Sequence, residues 1–372
     1  MQATSPRKPP IEVVQRKLRS YERCIHAPKA SIGEECHLGK LVYVVNPYER
    51  CSLGCCYCYA EWPWSPPQIV AHVNVDVKAL RDLRRLRGRR IIINIGSATD
   101  PYQHIEEGLQ LTRKLLEVLS ENTTFFVATR STLVIRDLDI IKKSHCWIAF
   151  SIPSANDEYY EVFEPYAPKL DERLKAIERL VSEGVMVVVR VSPIIPMITD
   201  NISELDYLLN QLSRIGVKYI VADLLKLDRR GYIMHGWDGM PKWKKTLGQA
   251  LTEWGNIKGL ALENLLKLYD GGELLYGYVV PPLEYRAKVL SEVKKLADKY
   301  NMLYSTCRMG IELKRRLSTW IEDGKIRCAC IAKSPRPIMR MRKSSGRGGG
   351  FSSPNQSSAR SPSSQTHFNI ST

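Results

Sequence analysis

Short apolar segments alternate with helical segments over residues 41–222, and this alternation constrains the fold more than any other feature. The strand candidates are mostly β-branched or aromatic, and helix candidates such as Ile202–Ile215 end at a glycine. Strands that alternate with helices form parallel β/α units, and six such units make a partial or full barrel. The predicted strands are Leu41–Val45, Ile91–Ile95, Thr124–Thr129, Trp147–Ile152, Val185–Val191 and Tyr219–Ala222.

The 372 residues divide into four stretches of different composition. Residues 1–40 mix Pro, Lys and Arg and predict an N-terminal arm, whereas residues 41–225 carry the β/α alternation. Residues 226–332 include an amphipathic helix at Glu284–Tyr300 and are expected to complete the core. Residues 333–372 are rich in Ser, Gly, Pro and Arg, which predicts a disordered basic tail. The predicted fold class is therefore α/β, a partial or full (β/α) barrel with a helical C-terminal extension.

A loop with three regularly spaced cysteines follows the first predicted strand. Cys51, Cys55 and Cys58 form the pattern C-x3-C-x2-C, and Tyr57 directly precedes the last of them. A structural zinc site needs four ligands. Three thiolates can instead hold three irons of a cubane cluster and leave the fourth iron open for another ligand. The pattern therefore predicts a [4Fe–4S] cluster, and Gly54 allows the loop to turn tightly.

The other cysteines keep alternative readings open. Cys56 lies beside Cys55 and is expected to stay outside the cluster. Buried free thiols, or a zinc loop completed by Cys56 or by a distant residue, are the alternatives to a cluster. Cys307, Cys328 and Cys330 form a second group that either binds a second metal or stays unligated. Their irregular spacing favours unligated thiols.

The chain is strongly basic, with a formal net charge of +16. Such an excess fits either a polyanionic partner such as nucleic acid or a basic protein without one. Residues 229–243 combine basic and aromatic side chains, a composition that can stack bases on a nucleic-acid-binding surface. A second run is either a solvated helix face or a phosphate-binding patch. Its members are Arg81, Arg84, Arg85, Arg87, Arg89 and Arg90.

No secretory signal opens the sequence, and no apolar stretch has the length of a membrane span. These features predict a cytoplasmic protein with no membrane partner. A compartment that keeps thiols reduced also suits an iron–sulfur cluster.

Polar motifs follow successive predicted strands. GSATDPY spans 96–102, ATRS spans 128–131, Ser151 lies within the fourth strand, and Glu164 and Arg173 come shortly after it. In parallel barrels the chemistry collects at the carboxyl ends of the strands. Together with the cysteine loop, these motifs resemble the radical SAM superfamily, and within it the spore photoproduct lyase-like branch, over residues 40–225.

The resemblance implies an activity and a set of contacts. The cluster would reductively cleave S-adenosylmethionine (SAM) to a 5′-deoxyadenosyl radical, which abstracts hydrogen from a substrate, with nucleic acid as one candidate. Tyr57, Thr99, Arg130 and Ser151 would contact the cofactors. Strand-end capping is the alternative for Thr99 and Ser151, and a structural ion pair is the alternative for Arg130. A reductant protein is the implied partner for the cluster.

One residue departs from the lyase pattern. Ser97 stands where spore photoproduct lyases carry a hydrogen-donating cysteine, and an O–H group is a much poorer hydrogen-atom donor than S–H. The departure argues against thymine-dimer repair and leaves SAM cleavage untouched. A rival interpretation is a non-catalytic protein that binds zinc or a cluster together with nucleic acid.

Overall fold

The computed structural model describes residues 8–27, 42–60, 62–89, 91–259, 262–275 and 277–306, together with short strands at 321–322, 325–326 and 367–368. Its strands, in chain order, are β1 (Val13–Arg16), β2 (Val42–Val45), β3 (Tyr48–Glu49), β4 (Ile69–His72), β5 (Ile92–Ile95), β6 (Thr124–Thr129), β7 (Cys146–Ser151), β8 (Val187–Ile194), β9 (Tyr219–Leu224), β10 (Leu227–Asp228), β11 (Glu273–Leu275), β12 (Tyr278–Val280), β13 (Leu303–Thr306), β14 (Ile321–Glu322), β15 (Lys325–Ile326) and β16 (His367–Phe368).

Several of the helices pack against the larger sheet. In chain order they are α1 (Val75–Arg85), α2 (Glu106–Leu109), α3 (Leu111–Asn122), α4 (Leu138–Ile141), α5 (Asp157–Phe163), α6 (Leu170–Ser182), α7 (Ile202–Ile215), α8 (Tyr232–His235), α9 (Leu247–Lys258), α10 (Leu262–Asp270) and α11 (Leu283–Lys299). A 3₁₀ helix at Thr132–Asp137 leads directly into α4. Over the described residues, no helix combines the length and the apolar character needed to cross a membrane.

Seven parallel strands form the central sheet, in the spatial order β13–β9–β8–β7–β6–β5–β2. The two end strands, β2 and β13, are not paired with each other, so the described strands form a partial barrel. The predicted α/β fold class is confirmed. The pairs Val45–Ile95 and Ser151–Arg190 align the carboxyl ends of these strands along one edge. We call the loops that leave this edge the mouth.

The two faces of the sheet are both apolar but differ in what covers them. One face carries residues such as Ile93, Val127 and Phe150, which pack against helix residues such as Leu115 in the main core. The other face holds a smaller cluster that lies below the mouth. Its members are Val42, Ile92, Phe126, Trp147, Ala149, Val188 and Val221. Burial on both faces explains why these strands read as continuous apolar segments.

Two smaller sheets flank the mouth. β1, from the predicted N-terminal arm, pairs in parallel with β4, which pairs antiparallel with β3 just before the cysteine loop. β12 lies between β10 and β11 in an antiparallel sheet. Within the predicted tail, β16 pairs with β1. The rest of the tail, and the second cysteine group of Cys307, Cys328 and Cys330, lie outside the described residues.

Candidate active site

The base of the cysteine loop is held by residues that follow β5. The buried side chain of Gln103 accepts a hydrogen bond from the Ser52 N–H at 2.8 Å and donates one to the Arg50 carbonyl at 3.1 Å. Nδ1 of His104 lies 2.9 Å from Oγ of Ser52. Burial lowers the pKa of His104 to about 4, so its ring is neutral at pH 7. Two side chains from one segment therefore fix where the loop begins.

Gly54 lies at the tightest point of the loop. Its φ is +62°, and an added Cβ would lie 2.7 Å from Cδ2 of Tyr166 and 3.0 Å from Cζ3 of Trp243. The two rings pack edge to face, with centroids 5.7 Å apart. Glycine is thus needed both for its backbone conformation, as the sequence predicts, and for the close approach of the aromatic wall.

The three spaced cysteines are separated by two turns of this loop, at 52–53 and 56–57. Cys51 and Cys58 are half-buried and Cys55 is buried. The Cys58 N–H donates to the Cys55 carbonyl at 3.2 Å, whereas the Cys56 N–H donates to the Phe163 carbonyl at 3.1 Å.

Among the described residues, no three His, Cys, Asp or Glu side chains are grouped to hold one metal ion. A zinc site needs its ligands around a single centre. A cubane cluster instead takes one thiolate on each of three irons. The soft thiol donors of Cys51, Cys55 and Cys58 fit iron–sulfur chemistry.

A buried charge network lies next to the cysteines. Glu164 accepts hydrogen bonds from the hydroxyl of Tyr57, from Arg130 Nη1 at 3.0 Å and from Arg173 Nη2. Glu164 and Arg173 are fully buried, and the Arg130 side chain is 19% exposed. Burial alone would raise the pKa of the Glu164 carboxyl, but Arg130 and Arg173 outweigh it and hold that pKa below its ordinary value. The carboxylate is therefore ionised and shared between two guanidinium groups.

Arg130 joins this network to the cysteine loop. Its Nη1 lies 2.5 Å from Sγ of Cys55 and 3.0 Å from the Tyr57 hydroxyl. Burial raises the pKa of the Cys55 thiol to about 12, and the Arg130 charge opposes that rise. A cation at this distance stabilises a thiolate, which is the form that binds metal.

Asp100 fixes the backbone position of Arg130. Its buried carboxyl accepts hydrogen bonds from the Thr129 hydroxyl at 2.7 Å and from the N–H groups of Arg130 and Tyr102, both at 2.9 Å. The loop after β5 is thereby tied to the end of β6. The neighbouring Thr99 donates its hydroxyl to the Tyr48 carbonyl at 3.3 Å, so it also caps a backbone group.

Ser151 ends β7 at the mouth, where its carbonyl accepts a hydrogen bond from Arg173 Nη1 at 3.0 Å. Beside it, the ends of β8 and β9 carry polar side chains centred on Asp223. Asp223 accepts a hydrogen bond from Ser192, and its carboxylate lies 3.8 Å from Arg190 and 3.5 Å from Lys226. The sheet thus changes from apolar residues below to charged residues at the mouth.

The structure brings two of the four predicted cofactor-binding residues together at the cysteines. They are Tyr57 and Arg130, whose side chains are in contact. Thr99, in the loop after β5, contacts backbone, and the carbonyl of Ser151, at the end of β7, contacts Arg173. Sequence reasoning missed the roles of Gln103 and Asp100. Asp100 lies within the GSATDPY motif and Gln103 follows it directly, so the signal available was a polar motif after a strand end.

This chain is similar in sequence to a known family and to several known proteins. A family model described as the Radical SAM superfamily matches residues 45–212. An uncharacterized protein of Mycobacterium tuberculosis is 30% identical over 209 residues, 52% of this chain and 62% of that protein. An uncharacterized protein of Methanocaldococcus jannaschii is 30% identical over 161 residues, 42% of this chain and 62% of that protein. The chain thus spans less than two thirds of the length of either relative.

A more distant relative is the radical SAM Nalpha-GlyT isomerase of Pseudomonas phage M6, 21% identical over 271 residues, 71% of this chain and 53% of that protein. Among solved structures, spore photoproduct lyase complexed with dinucleoside spore photoproduct has a TM-score of 0.56 at 16% identity, over 79% of this chain and 82% of that chain. A lyase mutant with bound AdoMet (SAM) and the same ligand gives 0.55 at 17% identity, over 78% and 81% of the two chains. At these identities the likeness shows a shared fold.

Proposed function

Because residues 45–212 form a domain of the radical SAM superfamily, we propose that this chain is a radical SAM enzyme with a [4Fe–4S] cluster on Cys51, Cys55 and Cys58. The observation that carries the proposal is the cysteine loop at the mouth of a parallel sheet, with Arg130 in contact with Cys55. When bound, the cluster and SAM supply a one-electron cleavage that gives methionine and a 5′-deoxyadenosyl radical able to take hydrogen from a substrate.

Arg130 is proposed to hold the carboxylate of SAM. Within the described part of the chain, Nη1 makes the contacts to Cys55, Tyr57 and Glu164, and neither Nη2 nor Nε has a protein partner. A guanidinium presents several donors in one plane and binds a carboxylate through two of them. Arg130 can therefore keep its ion pair while it binds the cofactor, so the two readings of this residue are compatible.

Thr99, Ser151 and Tyr57 are the other proposed contacts to the cofactors. The Thr99 hydroxyl donates to backbone, so its oxygen lone pairs would accept from the cofactor. Ser151 offers a hydroxyl at the end of β7, and the Tyr57 ring forms part of the wall beside Cys55. Tyr159, Tyr160 and Phe163 pack nearby and are almost fully buried, which keeps water from that side.

Nucleic acid is the proposed substrate class. The net charge of +16 favours a polyanion, and the solved lyase with this fold binds a dinucleoside ligand. The reaction is proposed to differ from dimer repair, because Ser97 offers an O–H in place of the lyase cysteine. Its Oγ lies 3.1 Å from Nδ2 of Asn46. Since the cleavage consumes an electron, a reductant protein is the second proposed partner.

Cysteine variants test the cluster assignment. After anaerobic purification and reconstitution, Cys51→Ala, Cys55→Ala and Cys58→Ala should each lose iron, sulfide and the formation of 5′-deoxyadenosine from SAM. The control Cys56→Ala should keep all three, because its thiol is not one of the spaced ligands. Full iron content in Cys55→Ala, or zinc without sulfide in the parent protein, would contradict the proposal.

A further inference from the structure

Six aromatic side chains form a continuous row across the outside of the mouth, which we call the aromatic row: Tyr59, Trp62, Trp64, Tyr232, Trp237 and Tyr278. Neighbouring ring centroids lie 5.3–6.3 Å apart. Trp62 and Trp64 are stacked with an interplanar angle of 5°. Trp64 is 68% exposed and Tyr59 is 54% exposed, so at least two of the rings offer their surface to solvent.

One end of the aromatic row reaches the candidate active site. Tyr59 follows Cys58 directly in the chain, and its hydroxyl donates to the carbonyl of Ser97 at 3.1 Å. Ser97 lies in the loop after β5, between the cysteine loop and Thr99. A molecule that lies along the row would therefore be led to the mouth.

Two exposed arginines shortly precede Tyr232 of the row in the chain. Arg229 and Arg230 lie between β10 and Tyr232, in a turn whose N–H groups are collected by the buried carboxyl of Asp228. That carboxyl accepts from the N–H of Arg230 at 3.1 Å and of Tyr232 at 2.9 Å. Asp228 also faces Tyr278 across the β10–β12 pair. Asp228 thus fixes the backbone of the turn that carries Arg230 and Tyr232, next to the strand that carries Tyr278.

The far end of the row opens into a basic cleft. Trp237 lines a cleft of about 530 Å³, together with Lys242, Lys244 and Lys245. Residues 226–245 contain six Lys or Arg against two acidic residues. Lys245 also pairs with Glu253, which lines the same cleft. The positive charge therefore continues past the last ring.

We propose that the aromatic row, with Arg229 and Arg230, binds single-stranded nucleic acid. Flat exposed rings suit stacking of unpaired bases of any sequence, and the arginines suit the phosphates between those bases. A base paired within a duplex keeps its faces stacked on its neighbours, so the row favours an unpaired strand. This inference rests on the proposed nucleic-acid substrate, and it names the surface that would bring the substrate to the mouth.

The arginine run that the sequence offered as a phosphate patch lies elsewhere. Arg84 and Arg87 are at the end of α1, which leads into the amino end of β5, opposite to the mouth. Nearby, Arg81 donates to the carbonyl of Ser20, and Arg89 lies 3.4 Å from the hydroxyl of Tyr43. The described arginines of this run thus lie at the opposite edge of the sheet from the aromatic row, so Arg84 and Arg87 provide a matched control for charge.

The test is affinity of the full chain for fluorescently labelled dT15 and U15 oligonucleotides, measured by anisotropy at several salt concentrations. Trp62→Ala and Trp64→Ala should each weaken binding roughly tenfold, because base–aromatic stacking has about that effect per base. Tyr207→Ala removes an exposed ring of α7, outside the aromatic row, and should leave affinity unchanged. The dT15 and U15 arms show whether the strand is DNA or RNA.

The charge arm compares two double variants. A plot of log K against log salt concentration has a negative slope, to which each phosphate contact on a single strand contributes about −0.7. Arg229→Gln/Arg230→Gln should therefore make this slope shallower by about 1.4. Arg84→Gln/Arg87→Gln removes the same charge from the opposite edge and should keep the parent slope. A difference between these variants therefore reports position and not net charge.

Equal affinities in the parent and the tryptophan variants would overturn the inference, as would an absence of oligonucleotide binding in the parent. If the tryptophan variants keep the parent's oligonucleotide affinity but are reduced more slowly by flavodoxin, the row binds a redox protein and the inference is likewise overturned. SAM cleavage driven by dithionite is measured on the same preparations. If cleavage fails while row-dependent binding persists, the enzyme proposal is refuted and the binding surface stands.

Discussion

Replacing Glu164 by glutamine tests whether the buried charge network stabilises the fold. The substitution keeps the side-chain volume but removes the charge shared by Arg130 and Arg173. Loss of one partner from a buried ion pair costs about 3–5 kcal/mol. Arg173 would keep its bonds to the carbonyls of Pro168 at 2.7 Å and Ser151 at 3.0 Å. We therefore expect the lower end, a loss of about 3 kcal/mol in the free energy of unfolding.

The measurement is urea unfolding at pH 7, followed by circular dichroism. Glu161→Gln is the matched control, because Glu161 is 61% exposed and pairs with Lys169 at the surface. Its loss should cost less than about 1 kcal/mol. If Glu164→Gln proves no more destabilising than Glu161→Gln, the network does not stabilise the folded chain and the reasoning fails.

The same pair of proteins carries a pH dependence with a defined sign. The folded-state pKa of Glu164 is below its ordinary value, so its contribution to stability is present above the unfolded pKa of about 4.3. That contribution is lost as the pH falls from there through the folded pKa. The difference between parent and Glu164→Gln should therefore be constant from pH 7 to 5 and shrink below about pH 4. A difference that persists undiminished at pH 3 would contradict an ionised Glu164.

Two further predictions concern Arg130 and His104. Arg130→Ala should weaken SAM binding to the reconstituted protein by roughly 10- to 100-fold, and Arg130→Lys should weaken it less because the charge remains. Isothermal titration gives both values, and affinities equal to the parent would leave Arg130 with its ion pair to Glu164 alone. For His104, the lowered pKa of about 4 means that the unfolded chain binds a proton more readily between pH 6.5 and 4. The melting temperature of the parent should therefore fall across that window, whereas that of His104→Gln, which can still bond to Ser52, should fall less. Equal falls in the two proteins would show that His104 does not contribute to the pH dependence.

The sequence predicted helices and strands well where a local signal ends them. Thr124–Thr129 and Ile202–Ile215 have the same bounds in the structure as in the prediction, the latter because Gly216 adopts a left-handed conformation. By contrast, α2 and α3 are two separate helices, because Gln110 has a φ of +52° and breaks the helical path between Leu109 and Leu111. No residue type marks that break.

Contacts between distant segments were beyond the reach of sequence pattern. The cysteine spacing is local and could be read directly, but the partners of Glu164 come from three separate segments of the chain. The parallel pairing of β1 with β4 joins strands that are more than 50 residues apart in a stretch without clear alternation. Such pairings are decided by tertiary packing, and short-range periodicity in the sequence carries no information about it.

The charge balance of the network suggests why a cysteine, two arginines and one glutamate are found together. Arg130 and Arg173 contribute two positive charges, and the ionised Glu164 contributes one negative charge. The buried carboxyl of Asp100 also acts on Arg130, from whose N–H it accepts a hydrogen bond at 2.9 Å. Metal ligation requires the thiolate form of Cys55, and a buried charge without a counter-charge is costly. Arg130 lies against Sγ of Cys55 and supplies that counter-charge, so cluster binding and the stability of the mouth should be coupled.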